Sequence, residues 1–131
     1  MVRKIEHIGI YVSNLEESLR RYENALGLRV SLIEDYQEDG KRFRLAFLPV
    51  GESCLELIEV VEAPGGAPPL GIEHIAVEVE DIDGACAALR ANGLALTPDY
   101  VMPGSRGTRV AFIRPEDMGG VSFELVEPAK S

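Results

Sequence analysis

The sequence predicts an α+β fold made of two tandem βαβββ modules. The first observation is a repeated motif, because Ile-Glu-His-Ile at residues 5–8 occurs again at residues 72–75. The second is a later pair, in which Leu-Glu-Leu-Ile-Glu at 55–59 is echoed by Phe-Glu-Leu-Val-Glu at 123–127. Two repeats in the same order at almost the same separation indicate a duplicated structural unit. The predicted single domain, 1–131, therefore has three parts, which are module 1 at 1–62, a linker at 63–71 and module 2 at 72–131.

Module 1 begins with a β-prone run at 4–12, followed by a helix pattern. Leu15, Leu19, Tyr22 and Leu26 recur at helical spacing and predict an amphipathic helix. Asn14 or Ser13 is suited to cap its start, and Gly27 to end it. The remaining predicted elements are strands at 28–33, 43–48 and 54–61, with a loop at 34–40.

Module 2 repeats this order after a linker rich in proline and glycine. Its first strand continues from the second Ile-Glu-His-Ile motif. Ile82, Ala85, Leu89 and Leu94 then surround a helix that should end at Asn92-Gly93. The remaining predicted strands lie near 95–100, 108–113 and 121–127.

The composition limits which partners and which cellular compartment we expect for this protein. The chain has 131 residues, with 13 Lys and Arg against 22 Asp and Glu, and its formal net charge is −9. A net negative charge repels phosphate backbones, so we expect no nucleic-acid partner. No apolar run approaches the roughly 18–20 residues of a membrane span, and the N-terminus lacks a signal-peptide pattern. Two cysteines do not make a disulfide framework, and we expect a cytoplasmic protein with no membrane partner.

Four polar residues occupy equivalent places in the two modules. His7 and His74 lie within apolar strands, and Glu56 and Glu124 lie between large apolar neighbours. A single histidine in a strand is most often structural, and a single glutamate on an alternating strand most often faces solvent. Duplication changes this interpretation, because a pseudo-twofold axis between the modules would bring the two histidines and the two glutamates together. Two imidazoles and two carboxylates suit a divalent ion such as Zn, Ni, Co, Mn or Fe(II).

Other features carry weaker signals. Gly-Ser-Arg-Gly at 104–107 lacks the spacing of a phosphate-binding motif, and we expect a flexible loop that can close over a ligand. Cys54 and Cys86 are interpreted as buried small hydrophobic residues. A small basic cluster is interpreted as a solvated edge or as a contact for an anionic substrate; it consists of Lys41, Arg42 and Arg44.

Taken together, these features resemble the vicinal oxygen chelate (glyoxalase/bleomycin resistance/dioxygenase) superfamily. The resemblance runs from Ile5 to Pro128 and implies a glyoxalase-like curled mixed sheet around a metal cleft. It also implies one divalent metal ion, which is Co, Mn, Ni, Zn or Fe. Bleomycin-binding members usually lack the ligands, and extradiol dioxygenases use two histidines and one carboxylate, so both fit less well. The implied metal ligands are His7, Glu56, His74 and Glu124.

Within the superfamily, the chain is most similar to the methylmalonyl-CoA epimerases. Residues 110–121 contain a proline, a short polar stretch and Gly-Gly-Val, as those enzymes do, whereas glyoxalase I typically has Asp-Pro-Asp-Gly there. Residues 45–51, which lead into 55–57, are similar too. The resemblance implies interconversion of (2R)- and (2S)-methylmalonyl-CoA by α-proton abstraction through a metal-stabilised enolate, with Glu124 as the catalytic base. It also implies an acyl-CoA thioester substrate and a homodimer.

Alternatives remain open at this point. A glyoxalase I (lactoylglutathione lyase)-type isomerase uses similar enolate chemistry, and a non-catalytic drug-resistance protein would only bind its small molecule. The position of the second catalytic glutamate described for some epimerases falls near Arg44 or Leu45, and neither is acidic. The acid/base on the opposite face of the substrate is therefore unassigned, with Glu56, a water or a loop residue as options.

Overall fold

A computed structural model describes residues 1–130 of the chain as two compact units. The N-terminal unit is His7–Glu73, and the C-terminal unit combines Met1–Glu6 with the chain from His74 onward. The described elements include two α-helices and eight strands, in the order β-α-β-β-β taken twice. The α+β class and the two βαβββ repeats are therefore confirmed.

The elements of the first repeat form a mixed sheet with one helix packed on it. The strand order is β2-β3-β4-β1, in which β1 and β4 are parallel and the other neighbours are antiparallel. Arg3, near the start of β1, forms an ion pair with Glu78 inside the C-terminal unit. The bounds are β1 Val2–Val12, α1 Leu15–Leu26, β2 Leu32–Glu38, β3 Lys41–Val50 and β4 Ser53–Glu62.

Both ends of α1 are closed by specific hydrogen bonds. The Asn14 side chain accepts from the Glu17 amide at 2.9 Å, which satisfies one of the free donors at the helix start. The Glu59 carboxylate, from β4, accepts from the Leu15 amide at 2.7 Å. Gly27 ends the helix with a φ of 69°, a conformation that glycine adopts without strain. The predicted helix and both of its caps are confirmed.

The second repeat forms a sheet of order β5-β8-β7-β6, with β5 and β8 parallel. Asp81 caps α2 by accepting from the Gly84 amide at 3.1 Å, and Glu127 from β8 accepts from the Ile82 amide at 3.0 Å. Glu127 therefore repeats the role of Glu59. The bounds are β5 Gly71–Val79, α2 Ile82–Ala91, β6 Met102–Pro103, β7 Arg109–Ile113 and β8 Phe123–Glu127, with 3-10 turns at Ser105–Gly107 and Pro115–Met118.

Each helix covers one face of its own sheet with apolar side chains. Leu15 and Leu19 of α1 pack on the sheet of the N-terminal unit, and Ile82 and Cys86 of α2 pack on the other sheet. Cys86 and Cys54 are both buried, as predicted, and neither is part of a disulfide. The sheet residues that meet the helices are Ala46, Leu48 and Leu57 in the first unit and Val79, Ala111, Ile113 and Leu125 in the second.

The predicted strand at 28–33 and the predicted loop at 34–40 are wrong. Residues 28–31 lie outside the strands, and β2 is Leu32–Glu38, followed by a turn at Asp39 and Gly40. β2 pairs along its whole length with β3, from Leu32 opposite Phe47 to Glu38 opposite Lys41. Its polar composition is compatible with a strand because most of its side chains are exposed at the sheet edge.

The predicted strand at 95–100 is also wrong. Only Leu96 makes a β-bridge there, to Ile113, and the chain then bends through residues 97–100. Pro98 has no amide hydrogen to donate to a sheet, so a continuous strand through it is disfavoured. The edge strand of this sheet is instead the short β6. In the described chain, no helix is both long and apolar enough to cross a membrane.

Candidate functional site

His7 and Glu56 form a buried pair in the N-terminal unit. Nε2 of His7 lies 3.5 Å from Oε1 of Glu56, and the two residues are 4% and 7% exposed. Parallel pairing sets Gly9 opposite Glu56, so His7 is two residues away along β1 and on the same sheet face. Cys54 shares this face with Glu56, because strand residues two apart point the same way. This face, which is turned away from α1, is here named the ligand face.

His74 and Glu124 repeat the arrangement in the C-terminal unit. Nε2 of His74 lies 3.1 Å from Oε1 of Glu124, with 5% and 7% of the residues exposed. Ala76 lies opposite Glu124, in the place that Gly9 takes in the other unit. Each predicted histidine is thus beside the predicted glutamate of its own repeat, on the sheet face turned away from its helix.

A phenylalanine accompanies each pair. Phe47 is the cross-strand partner of Glu56, and its ring meets His7 edge-on with centroids 6.2 Å apart. Phe112 is the partner of Glu124 and meets His74 in the same way at 6.4 Å. Sequence reasoning missed both rings. The signal was present, since Ala-Phe followed by Leu or Ile occurs in the strand before each glutamate.

The chemistry of the donor groups fits a divalent cation. Burying a carboxylate is costly unless a hydrogen-bond donor or a cation compensates the charge. Each pair places an imidazole nitrogen and a carboxylate oxygen near one another, and these are the ligand atoms that Zn, Ni, Co, Mn and Fe(II) accept. All four residues are more than nine-tenths buried, which restricts access of bulk water to the donor atoms.

The predicted basic cluster lies at the start of β3, and its two arginines form ion pairs with acids. Arg42 pairs with Glu62 at 2.9 Å, and Arg44 pairs with Glu16 and with Asp35. The Arg44 guanidinium holds the pKa of the Glu16 carboxyl below its ordinary value of 4.5. These arginines therefore support the interpretation as a solvated edge better than the interpretation as an anion site.

The loop at 104–107 is anchored by an ion pair. Arg106 has a φ of 58°, and its guanidinium donates to both carboxylate oxygens of Glu6, at 2.7 and 3.3 Å. Gly104 packs tightly, because a Cβ at that position would collide with Oγ1 of Thr108. The loop is thus tied to the first strand within the C-terminal unit.

A family model matches most of the chain. Residues 4–125 match the model of the Glyoxalase/Bleomycin resistance protein/Dioxygenase superfamily. The match begins within β1 and ends within β8.

Relatives with similar sequences carry different names. The chain is 31% identical to the uncharacterized protein YqjC of Bacillus subtilis, over 97% of this chain and 94% of that protein. It is 30% identical to human mitochondrial methylmalonyl-CoA epimerase, over 93% and 72%. It is 33% identical to lactoylglutathione lyase of Neisseria meningitidis, over 95% and 90%. The relatives therefore include both epimerases and lyases.

Solved structures have the same fold. A hypothetical protein from Bacillus halodurans superposes with a TM-score of 0.88 at 33% identity, covering 98% of this chain and 96% of that one. A Streptomyces coelicolor methylmalonyl-CoA epimerase variant in complex with 2-nitronate-propionyl-CoA superposes with a TM-score of 0.84 at 28% identity, covering 98% and 96%. The expected glyoxalase-like fold is confirmed.

Proposed function

Because the chain belongs to the Glyoxalase/Bleomycin resistance protein/Dioxygenase superfamily, we propose that it is a metal-dependent methylmalonyl-CoA epimerase. It would interconvert the (2R) and (2S) forms of the thioester. The observation that carries the proposal is the pair of buried His–Glu sites at equivalent positions of the two repeats. Epimerases related to this chain along nearly its whole length support the choice of reaction.

The proposed metal ligands are His7, Glu56, His74 and Glu124, which together would hold one divalent ion. The donor set fits Co, Mn, Ni, Zn or Fe, since imidazole and carboxylate ligate each of them. When bound, such an ion would supply a Lewis acid for negative charge on the oxygens of an enolate.

Side chains of the protein carry out the proton transfer. The Glu124 carboxylate takes the α-proton, and the electron pair of the C–H bond moves into the enolate of the thioester. His74, at 3.1 Å, holds this carboxylate in place. Phe112 packs edge-on against His74 and so supports the position of the imidazole. Inversion requires return of a proton to the opposite face.

We propose that the substrate is an acyl-CoA thioester. We also propose that the protein is a homodimer and that it is located in the cytoplasm. The similar Streptomyces coelicolor epimerase, in complex with 2-nitronate-propionyl-CoA, supports a CoA ligand.

Lactoylglutathione lyase activity is the second candidate, favoured by 33% identity to the Neisseria meningitidis enzyme. Both reactions begin with removal of a proton next to a carbonyl group.

Metal analysis combined with NMR in D2O tests the proposal. We expect close to one divalent ion per chain and rapid deuterium uptake at the α-carbon of methylmalonyl-CoA with epimerisation. Metal without exchange, together with turnover of the hemithioacetal of methylglyoxal and glutathione, would select the lyase. Absence of metal and of exchange, after metal is added back, would leave a binding protein.

A further inference from the structure

We propose that Arg3 determines the specificity for the carrier of the substrate, by binding the phosphate at the end of the pantetheine arm of CoA. The inference rests on the proposed epimerase function and deepens it, because it names the residue that distinguishes a CoA thioester from a substrate on another thiol. A chain of net charge −9 repels an anionic ligand, so binding such a ligand requires a cation beside it. Arg3 belongs to the C-terminal unit, which includes Met1–Glu6.

An ion pair places Arg3 on the face of the C-terminal sheet that is turned away from α2. Nε of Arg3 lies 3.2 Å from Oε2 of Glu78. Glu78 is four residues from His74 on β5. It lies opposite Val126, which is two residues from Glu124 on β8. Strand residues an even number apart share a face, as do directly paired residues, so Arg3 lies on the face that carries His74 and Glu124.

The contact with Glu78 leaves the outer part of the Arg3 guanidinium available. The Arg3 side chain is 48% exposed, whereas that of Glu78 is 16% exposed. Across residues 1–130, the Arg3 side chain forms its ion pair through Nε alone, so neither terminal nitrogen has an acidic partner. The other arginines of the C-terminal unit each engage a terminal nitrogen with an acid, and they are Arg90, Arg106, Arg109 and Arg114. Two terminal N–H groups in a planar fork are the donors that bind a phosphate in bidentate fashion.

The distance along β5 suits the pantetheine arm of CoA. His74 and Glu78 are four residues apart, which corresponds to about 13 Å between their Cα atoms. A thioester carbonyl at the His74–Glu124 pair would leave the pantetheine arm to cover this distance, and the extended arm is long enough to do so. The carboxylates of glutathione lie closer to its sulfur and would end before the Arg3 guanidinium. The spacing therefore favours CoA as the carrier.

Apolar side chains line this face between its two ends. Ala76, midway between His74 and Glu78 on β5, is part of an apolar cluster. The cluster also contains Val110 and Val126, with Met102 and Phe112 packed against them and partly exposed. The face thus carries an imidazole–carboxylate pair, then apolar side chains, then a cation. An acyl-CoA has its carbonyl, its pantetheine arm and its phosphate in the same order, and this match carries the assignment.

Kinetics of the Arg3→Gln variant with three thioesters test the assignment. The substrates are methylmalonyl-CoA, methylmalonyl-4′-phosphopantetheine and methylmalonyl-pantetheine, the last of which has no phosphate. We expect KM for the first two to rise at least about 10-fold, because a hydrogen bond between charged groups is lost. The kcat values and the KM for the pantetheine thioester should stay at the wild-type level, because Arg3 does not contact the reacting carbon.

Two further variants sharpen the comparison. Arg3→Lys should recover part of the lost affinity, because lysine keeps the charge but not the planar fork. Lys4→Gln is the matched control, since it removes the same charge from the adjacent residue of β1, which points to the opposite face. It should behave as wild type with all three thioesters.

Two results would overturn the assignment while leaving the proposed function intact. The first is a wild-type KM for methylmalonyl-CoA in Arg3→Gln. The second is an equal rise in KM for all three thioesters, which would indicate a structural role for Arg3.

A wild-type protein that epimerises none of the thioesters would instead overturn the proposed function itself. Calorimetric titration with CoA then decides the role of Arg3 separately. Binding at least about 10-fold weaker in Arg3→Gln than in the wild type would support the phosphate contact, and equal binding would contradict it. Weaker binding of the hemithioacetal of methylglyoxal and glutathione, with CoA binding unchanged, would also contradict it, because Arg3 would then bind a carboxylate.

Discussion

Two glutamates on one strand illustrate how a residue's position sets its role. Glu124 and Glu127 are three positions apart on β8, so they project from opposite faces of the sheet. Glu124 lies beside His74, whereas Glu127 accepts from the first amide of α2 and is 6% exposed. In the other repeat, Glu56 lies beside His7 and Glu59 accepts from the first amide of α1. Each copy of the repeated motif, at 55–59 and at 123–127, therefore contains one ligand candidate and one helix cap.

This contrast predicts that one substitution lowers stability and that the other lowers turnover. Glu127→Ala should lower the free energy of unfolding by about 1–3 kcal/mol, because a buried hydrogen bond to a charged group is lost, and should leave metal content unchanged. Glu124→Gln should lower turnover at least about 100-fold. Denaturant unfolding and metal analysis of both variants measure these effects. Full turnover by Glu124→Gln would remove the assignment of Glu124 as a base.

Among the elements, the 3-10 turn Pro115–Met118 contacts the segment before β6 through one side chain. Asp117 accepts from the Ala95 amide at 2.9 Å and pairs with Arg114 at 2.7 Å. Arg114 and the Ala95 amide hold the pKa of the Asp117 carboxyl below its ordinary value of 3.8. The turn is thus tied to the chain segment that precedes β6 by an ionised group.

We expect this contact to make stability depend on pH. A depressed pKa contributes stability that is present above the ordinary value and is lost as the pH falls through the lowered value. Asp117→Asn should therefore lower the melting temperature at pH 7, and its difference from wild type should shrink below about pH 4. Melting curves between pH 2 and pH 7 measure this. Glu116→Gln, at an exposed neighbour, is the control, and a constant difference for Asp117→Asn at every pH would contradict the prediction.

At the scale of the whole molecule, apolar side chains remain exposed. Leu70 is 64% and Ile72 is 69% exposed, at the start of β5, and Val121 is 41% exposed before β8. Small modules gain stability when such surface is buried against a second copy. We therefore expect a homodimer of twice the chain mass of 14.3 kDa.

Sedimentation at several concentrations measures the assembly. Ile72→Asp should shift the protein to the monomer mass, whereas Leu26→Asp, at the exposed end of α1, should not. A monomer mass for the wild type at all concentrations would contradict the expected dimer.

The division into modules at 1–62 and 72–131 stays a prediction, as do the four-ligand metal site and the role of Glu124.

The sequence by itself determined the two βαβββ repeats, both helices with the caps of α1, and the four ligand candidates. Repetition, apolar spacing and capping residues are local properties, and they can be read along the chain. Only the tertiary structure decided the bounds of β2 and the positions of Phe47 and Phe112 beside the histidines. These features depend on hydrogen-bonded register between strands far apart in sequence, which local composition does not specify.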